Sequence, residues 1–207
     1  PDESPLDNIH SLYVDQWDWE KVLHTNERNL DFLKTTVKKI YGILRRLEFF
    51  IHEHYHHIKP SLPEHITFIH AEEALERYLK LSPREREHHL AKEYGAIFII
   101  GIGDILKDGK PHDSRAPDYD DWTTQTEKGF KGLNGDIILW NPVLENSFEI
   151  SSMGIRADRS ALLKQLKLTN NEQRQQLYFH QRLLNDELPL TIGGGIGQSR
   201  VCMQFLH

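Results

Sequence analysis

Two carboxylates in the second half of the chain are spaced to share a cation. Residues 135–140 and 147–151 read as strands around an Asn141-Pro142 turn, and setting Trp140 opposite Glu145 brings Asp136 opposite Glu149. Opposed carboxylates repel, so the arrangement calls for a cation between them or a proton on one. Mg²⁺ with nucleotide phosphates suits it, because Mg²⁺ takes one or two carboxylates and fills its shell with phosphate oxygens. The spacing is equally compatible with a hairpin displaced by one residue, or with either acid meeting a Lys or Arg. Downstream stands Gly193-Gly194-Gly195-Ile196-Gly197-Gln198-Ser199-Arg200. Glycines here let the backbone turn sharply and let a ligand lie against it, above all at Gly195 and Gly197. A helix start attracts anions, and Arg200 can reach a phosphate in a fork. The run is not a Walker A loop, since Gly-Lys-Ser/Thr is absent, and Gln198 stands where a dinucleotide fingerprint needs its third glycine. A tight strand–helix corner is the competing reading.

Three further groups carry polar chemistry. Ser152 and Arg156 follow Glu149 closely and could hold a carboxylate, or could be a capped turn with a surface arginine. Arg115-Ala116-Pro117-Asp118-Tyr119-Asp120-Asp121-Trp122 reads either as a lid that brings Arg115 to a polyphosphate or as an exposed acidic loop. His52-Glu53-His54-Tyr55-His56 matches the H-E-x-x-H zincin pattern. The helix carrying it stops within a turn or two and no downstream ligand fits, so the histidines read as the wet end of a helix.

The elements that must position these groups are legible in outline. Residues 10–19 read as a strand, with Leu12, Val14, Gln16 and Asp18 on one face. Leu30, Leu33, Val37, Ile40, Tyr41, Leu44, Leu47 and Ile51 recur at helical spacing. Thr25 or Asn26 is placed to cap that helix, Pro60 and Pro63 stop it, and Lys34, Lys38, Lys39, Arg45 and Arg46 form its wet face. A strand over 66–69 and a short helix over 72–79 follow. Ser82-Pro83-Arg84-Glu85 is a capping box with Pro at the first helical position, and its helix runs to Gly95. Ala96-Ile97-Phe98-Ile99-Ile100 is a continuous apolar run, hence a buried strand. Residues 101–134 read as a long loop, functional or mobile. Residues 169–184 read as a helix, and another opens at Gln198. The predicted fold class is α+β, an antiparallel sheet flanked by helices.

Composition narrows the function class. The 207 residues carry 25 Lys+Arg against 31 Asp+Glu, a net charge of −6 that argues against a broad nucleic-acid surface. No window holds 18 apolar residues in a row, so no membrane span is expected. The single Cys202 excludes an internal disulfide and a Cys-rich zinc site. In a helical apolar stretch it reads as a buried, inert thiol rather than the nucleophile of a glutamine-dependent amidotransferase. No basic segment precedes an apolar run at the start, and a reducing, cytoplasmic setting is the default expectation.

The motifs together resemble one family. Residues 10–20, 115–122, 133–136, 140–145, 148–156 and 192–200 are similar to ammonia-dependent asparagine synthetase (aspartate–ammonia ligase), and the likeness runs along the whole chain. That family shares the catalytic domain of class II aminoacyl-tRNA synthetases. By analogy, residues 193–200 resemble class II motif 3, and residues 1–20 the motif 2 loop with its second strand. The resemblance implies that ATP, aspartate and ammonia give asparagine, AMP and pyrophosphate through a β-aspartyl-adenylate. It implies Asp136 and Glu149 as holders of Mg²⁺ and nucleotide, with Gly195 and Gly197 beside them. Arg200 would grip the phosphates and Arg115 would be a second cation. Gln16 and Asp18 would take the substrate's amino group, and Ser152 and Arg156 its carboxylate end. Ser11, Tyr119 and Asp120 would line the site less centrally. A homodimer, no nucleic acid and no membrane complete the expectation. The whole of residues 1–207 reads as one such catalytic domain, and as an internal fragment: family members begin before Pro1, where motif 1 and a motif 2 arginine belong, and continue past His207. A tRNA-synthetase core would instead need an anticodon module and a basic face, neither visible here. A non-catalytic nucleotide-binding paralogue, or a fragment that only folds and dimerises, is the other alternative.

Overall fold

The computed structural model describes residues 13–206. Six strands form one sheet in the order β1-β6-β5-β4-β3-β2, with β1 Gln16–Val22, β2 Thr67–His70, β3 Ala96–Ile100, β4 Asn134–Asn141, β5 Asn146–Ile155 and β6 Thr191–Gly197. All neighbours are antiparallel except β2, which runs parallel to β3. The predicted antiparallel sheet is therefore mixed at one edge. A parallel neighbour needs a long crossover, and the helices α2 (Ala71–Arg77) and α3 (Pro83–Tyr94) supply it.

One face of the sheet is sealed by α1, Leu30–His54, whose Leu33, Val37, Tyr41 and Leu44 meet Phe98, Ile137, Met153 and Ile192 in the main core. The cap is Asn29, which accepts from Phe32 N, one turn later than Thr25 or Asn26, because Thr25–Glu27 forms a separate 3-10 turn first. On the other face α2 and α3 cover the β3–β4 side through Ala71, Leu75, Leu90, Ile97, Ile99 and Ile138. Over β1, β6 and β5 that face carries polar side chains instead. The Ser82 capping box stands as read, with Gly95 closing α3 at φ 73°.

One helical expectation is corrected. Residues 169–184 are not one helix: Asn170 lies at φ 55°, which breaks the helix, and only a 3-10 turn and the short α5 (Tyr178–Leu184) follow. The continuous helix of this region, α4, is Arg159–Leu168, capped by Asp158 accepting from Ala161 N. The last helix, α6, is Gln198–Phe205, starting at the residue expected, but it leaves Cys202 exposed rather than buried. Among the described residues no helix is long and apolar enough to cross a membrane.

Candidate functional site

The site is built from directly paired residues, which share a face of a sheet. Gln16, Asp18 and Glu20 alternate along β1 opposite Gly197, Gly195 and Gly193 of β6. Gly195 pairs in turn with Ser152 of β5, and Ser152 with Asp136 of β4. Arg156 follows directly after β5. Arg115, Tyr119 and Asp120 come from the 101–133 loop, and Arg200 from the first turn of α6. Every predicted site residue among the described ones thus lies on or beside one sheet face; Ser11 and Leu12 lie outside the described residues. The face has a glycine floor because side chains from β1 lie across it. A Cβ on Gly195 would come within 2.7 Å of Asp18 Oδ1 and 2.9 Å of Gln16 Oε1.

The carboxylate pair survives, but its register is corrected. Asp136 faces Ser152, and Glu149 faces Ile138. The turn lies one residue further along than read: Asn141 Oδ1 accepts from Val143 N and Leu144 N, Glu145 takes φ 47°, and Asn141 pairs with Asn146. A bulge at Ile150 then shifts the ladder again. Asp136 and Glu149 are therefore diagonal neighbours on one face. Burial, and secondly the charge of Asp136, push the Glu149 carboxyl up to about 7, with Arg200 opposing; the side chain nevertheless keeps 44% exposure at the open side of the cleft. Burial likewise raises Asp136, against the pull of Arg115.

Arg115 is not a free cation on a lid. Its Nη2 donates to Asp136 Oδ2 at 2.5 Å and to Ser152 Oγ at 3.4 Å, seating it against the sheet. Arg200 Nη1 donates to the Glu149 carbonyl at 2.8 Å and approaches its carboxylate at 3.8 Å. On the far side Arg156 stacks on Tyr119, with Cζ 3.9 Å from the ring centroid, and pairs with Glu20 and Asp120. Burial raises the Asp120 carboxyl to about 6, with Arg156 holding it down.

The donors suit a hard divalent cation. Asp136 Oδ1 is buried with no hydrogen-bond partner among the described residues, and it neighbours a second carboxylate whose pKa is elevated. Among the described residues no group of three or more His, Cys, Asp or Glu could hold a metal ion. A cation here would complete its shell with substrate oxygens and water, as Mg²⁺ commonly does. The His52–His57 cluster is spent locally: α1 stops at His54, His52 Nδ1 bonds the Ile58 carbonyl and His56 Nδ1 the His52 carbonyl.

A family model described as aspartate-ammonia ligase matches residues 1–207. The chain belongs to the aspartate–ammonia ligase family. Curated family members from two strains of Bacteroides fragilis are each 57% identical over 205 residues, a match that takes in 99% of this chain and 59% of theirs. The chain thus spans about three-fifths of the length of those relatives. Among solved structures, aspartyl tRNA synthetase from Entamoeba histolytica matches with a TM-score of 0.67 at 14% identity, over 100% of this chain and 43% of its own. Asparaginyl-tRNA synthetase of the same organism, in complex with asparaginyl-adenylate, matches at 0.66 and 16%, over 100% and 47%. At such identities the likeness is one of fold, and the fold is that of class II synthetase catalytic domains.

Sequence reasoning missed several residues that shape this candidate site. Glu20 continues the alternation of Gln16 and Asp18, so the signal was present. Gln165 of α4 gave none: fully buried, it donates to the Pro117 and Asp120 carbonyls and accepts from Trp122 N and Thr123 Oγ1, gripping the loop that presents Tyr119 and Asp120. Arg28 ties the same loop to the start of α4 through Asp121 and Asp158. Glu87, held by buried His112 at 2.8 Å, lines a hollow of about 460 Å³ with Glu149 and Arg200.

Proposed function

We infer that the protein amidates the side chain of L-aspartate with ammonia to give L-asparagine, cleaving ATP to AMP and pyrophosphate. The observation that carries this reading is the single polar sheet face. It sets an amide and a carboxylate (Gln16, Asp18) over glycine at one point, and a carboxylate pair flanked by two arginines a few residues away. The family membership and the adenylate held by a synthetase of the same fold support it.

In this reading a side-chain oxygen of aspartate attacks the α-phosphorus and pyrophosphate leaves; ammonia then attacks the acyl carbon and AMP leaves. Phosphoryl transfer of this kind depends on alignment and charge neutralisation more than on a protein base. Asp136 and Glu149 would hold Mg²⁺, which supplies charge neutralisation at the phosphates. Arg200, anchored on the Glu149 carbonyl, grips the phosphate chain. Arg115 fixes Asp136 and Ser152 in place and presents positive charge beside them. Gln16 and Asp18 accept from the substrate's ammonium group. Ser152 and Arg156 hold its carboxylate end, with Tyr119 and Asp120 setting the orientation of Arg156. A homodimeric enzyme acting in the cytoplasm, where ATP and aspartate are abundant, belongs to the same reading.

The test is pyrophosphate release by the full-length protein, with aspartate, ammonium and ATP-Mg omitted in turn. Release is expected only with aspartate and ATP-Mg, and asparagine only when ammonium is also present; release that ignores aspartate would remove the reading. Gly195→Ala probes its amino-acid half. The glycine has ordinary strand geometry, so the fold tolerates a methyl, but the methyl displaces Asp18 and Gln16. The KM for aspartate should rise by roughly 10- to 100-fold, the scale of a small misplacement, with the melting temperature nearly unmoved.

A further inference from the structure

Four of the five donors of Arg156 are already in use. Its Nε donates to both Glu20 oxygens at 3.2 Å, and its Nη2 to Glu20 Oε2 at 2.9 Å and to the Tyr119 hydroxyl at 3.1 Å. Its Nη1 pairs with Asp120. Of the five donors of a guanidinium, one on Nη1 remains without a partner among the described residues. A carboxylate is gripped by two parallel N–H groups, so no substrate carboxylate can be forked here until a present partner leaves. The charge count points the same way. One guanidinium between two carboxylates leaves a local excess of negative charge, which repels an incoming dicarboxylate.

The two partners differ in what holds them. Asp120 is 4% exposed, its residue bridges Arg156 through the backbone, and Gln165 grips its carbonyl. Glu20 on β1 is 46% exposed, and among the described residues Arg156 alone holds its carboxylate. Exposed ion pairs contribute little and exchange readily. Beside Glu20 lies a cavity of about 800 Å³, shared with Leu163, Pro189 and Thr191, into which a displaced side chain fits. The floor under the pair is Gly193, where a Cβ would lie 2.0 Å from Glu20 Oε2 and 2.5 Å from Arg156 Nη2, so the pair rests against the sheet where only a glycine leaves room.

We propose that Glu20 is an internal stand-in for the substrate's carboxylate: it occupies Arg156 in the empty site and swings into the neighbouring cavity when aspartate binds, so that it sets the affinity of the site for carboxylates. This rests on the aspartate reading above. Glu20 is here a specificity-determining residue and touches no reacting atom.

The experiment measures aspartate KM and, by calorimetry without ATP, aspartate Kd for the full-length protein and for Glu20→Gln and Glu20→Asp. Glu20→Gln weakens the competing contact at constant size, and both constants should fall by about 2- to 5-fold, the coupling of an exposed ion pair, while the KM for ATP stays put. Glu20→Asp keeps the charge but is one methylene too short for the fork, and the constants should fall here too. Unchanged or higher constants in Glu20→Gln would overturn the proposal, because Glu20 would then orient Arg156 rather than compete for it. A fall in Glu20→Gln with none in Glu20→Asp would overturn it as well, since charge alone would explain the change. Wild-type protein that binds no aspartate at all would sink the functional reading instead, an outcome distinct from either.

Discussion

Asp136→Asn is expected to cut pyrophosphate release by about 10²- to 10³-fold, the usual cost of removing one preorganised electrostatic partner, without loss of the fold. The substitution is nearly isosteric. The asparagine oxygen can still accept from Arg115 Nη2, and its amide replaces Oδ1, which has no partner. What disappears is charge. The wild-type carboxyl is raised by burial, so above the unfolded-state value near 4 its ionised form opposes folding, and that penalty is present at pH 7. Removing it offsets the loss of the Arg115 ion pair, and the melting temperature of the ligand-free protein should not fall. Mg-ATP should stabilise the wild type on a thermal ramp and fail to stabilise the variant, because only a ligand that binds the native state shifts the transition. Equal Mg-ATP shifts in the two proteins would show that Asp136 is not where the cation and nucleotide are held.

The sequence disclosed those parts of this site whose signals are local. The Ser82–Glu85 capping box, the apolar run of β3 and the glycine corner into α6 each depend on adjacent residues, and each stands where the pattern placed it. Register is a different matter. The facing of Asp136 depends on a turn one residue further along than the one expected and on a bulge at Ile150, and each shifts the ladder. Proximity of Asp136 and Glu149 survived because moving the turn by one residue changes the register by two, which leaves Glu149 on the same face. α4 was overlooked because its buried positions, Ala161, Leu162, Gln165 and Leu166, include a glutamine where an apolar residue would have marked the stripe. That glutamine is buried because the 117–123 loop supplies its partners from more than forty positions away, a relation no periodicity encodes. Arg115 shows the same limit. Its type suggested a cation for phosphates, yet its geometry is fixed by Asp136 across 21 positions of chain.

Arg200→Ala is expected to do comparable damage by a separable route. Arg200 is bound to its neighbour's backbone: Nη1 donates to the Glu149 carbonyl, whereas the Glu149 carboxylate stands 3.8 Å away. Its side chain is partly exposed, and a loose pair of that kind contributes roughly 0–1 kcal/mol, so truncation should barely move the melting temperature. Catalysis should suffer, because the site loses the fork that aligns the phosphate chain: kcat/KM for ATP should fall by about 10²- to 10³-fold, or roughly 3–4 kcal/mol of transition-state binding. Arg200→Lys should recover only a small part, because an ammonium is a point charge that cannot hold the Glu149 carbonyl and a phosphate in one plane. The carbonyl anchor also predicts how Arg200 and Glu149 combine. Glu149→Gln removes a carboxylate but leaves the carbonyl, so Arg200 stays in position. The double variant should then be worse than either single variant, since each removes an interaction with a different part of the ligand, though by less than the sum of the two losses because residues this close couple. A double variant no worse than Arg200→Ala would mean that the Glu149 side chain acts only through Arg200, and its assignment as a cation holder would have to be withdrawn.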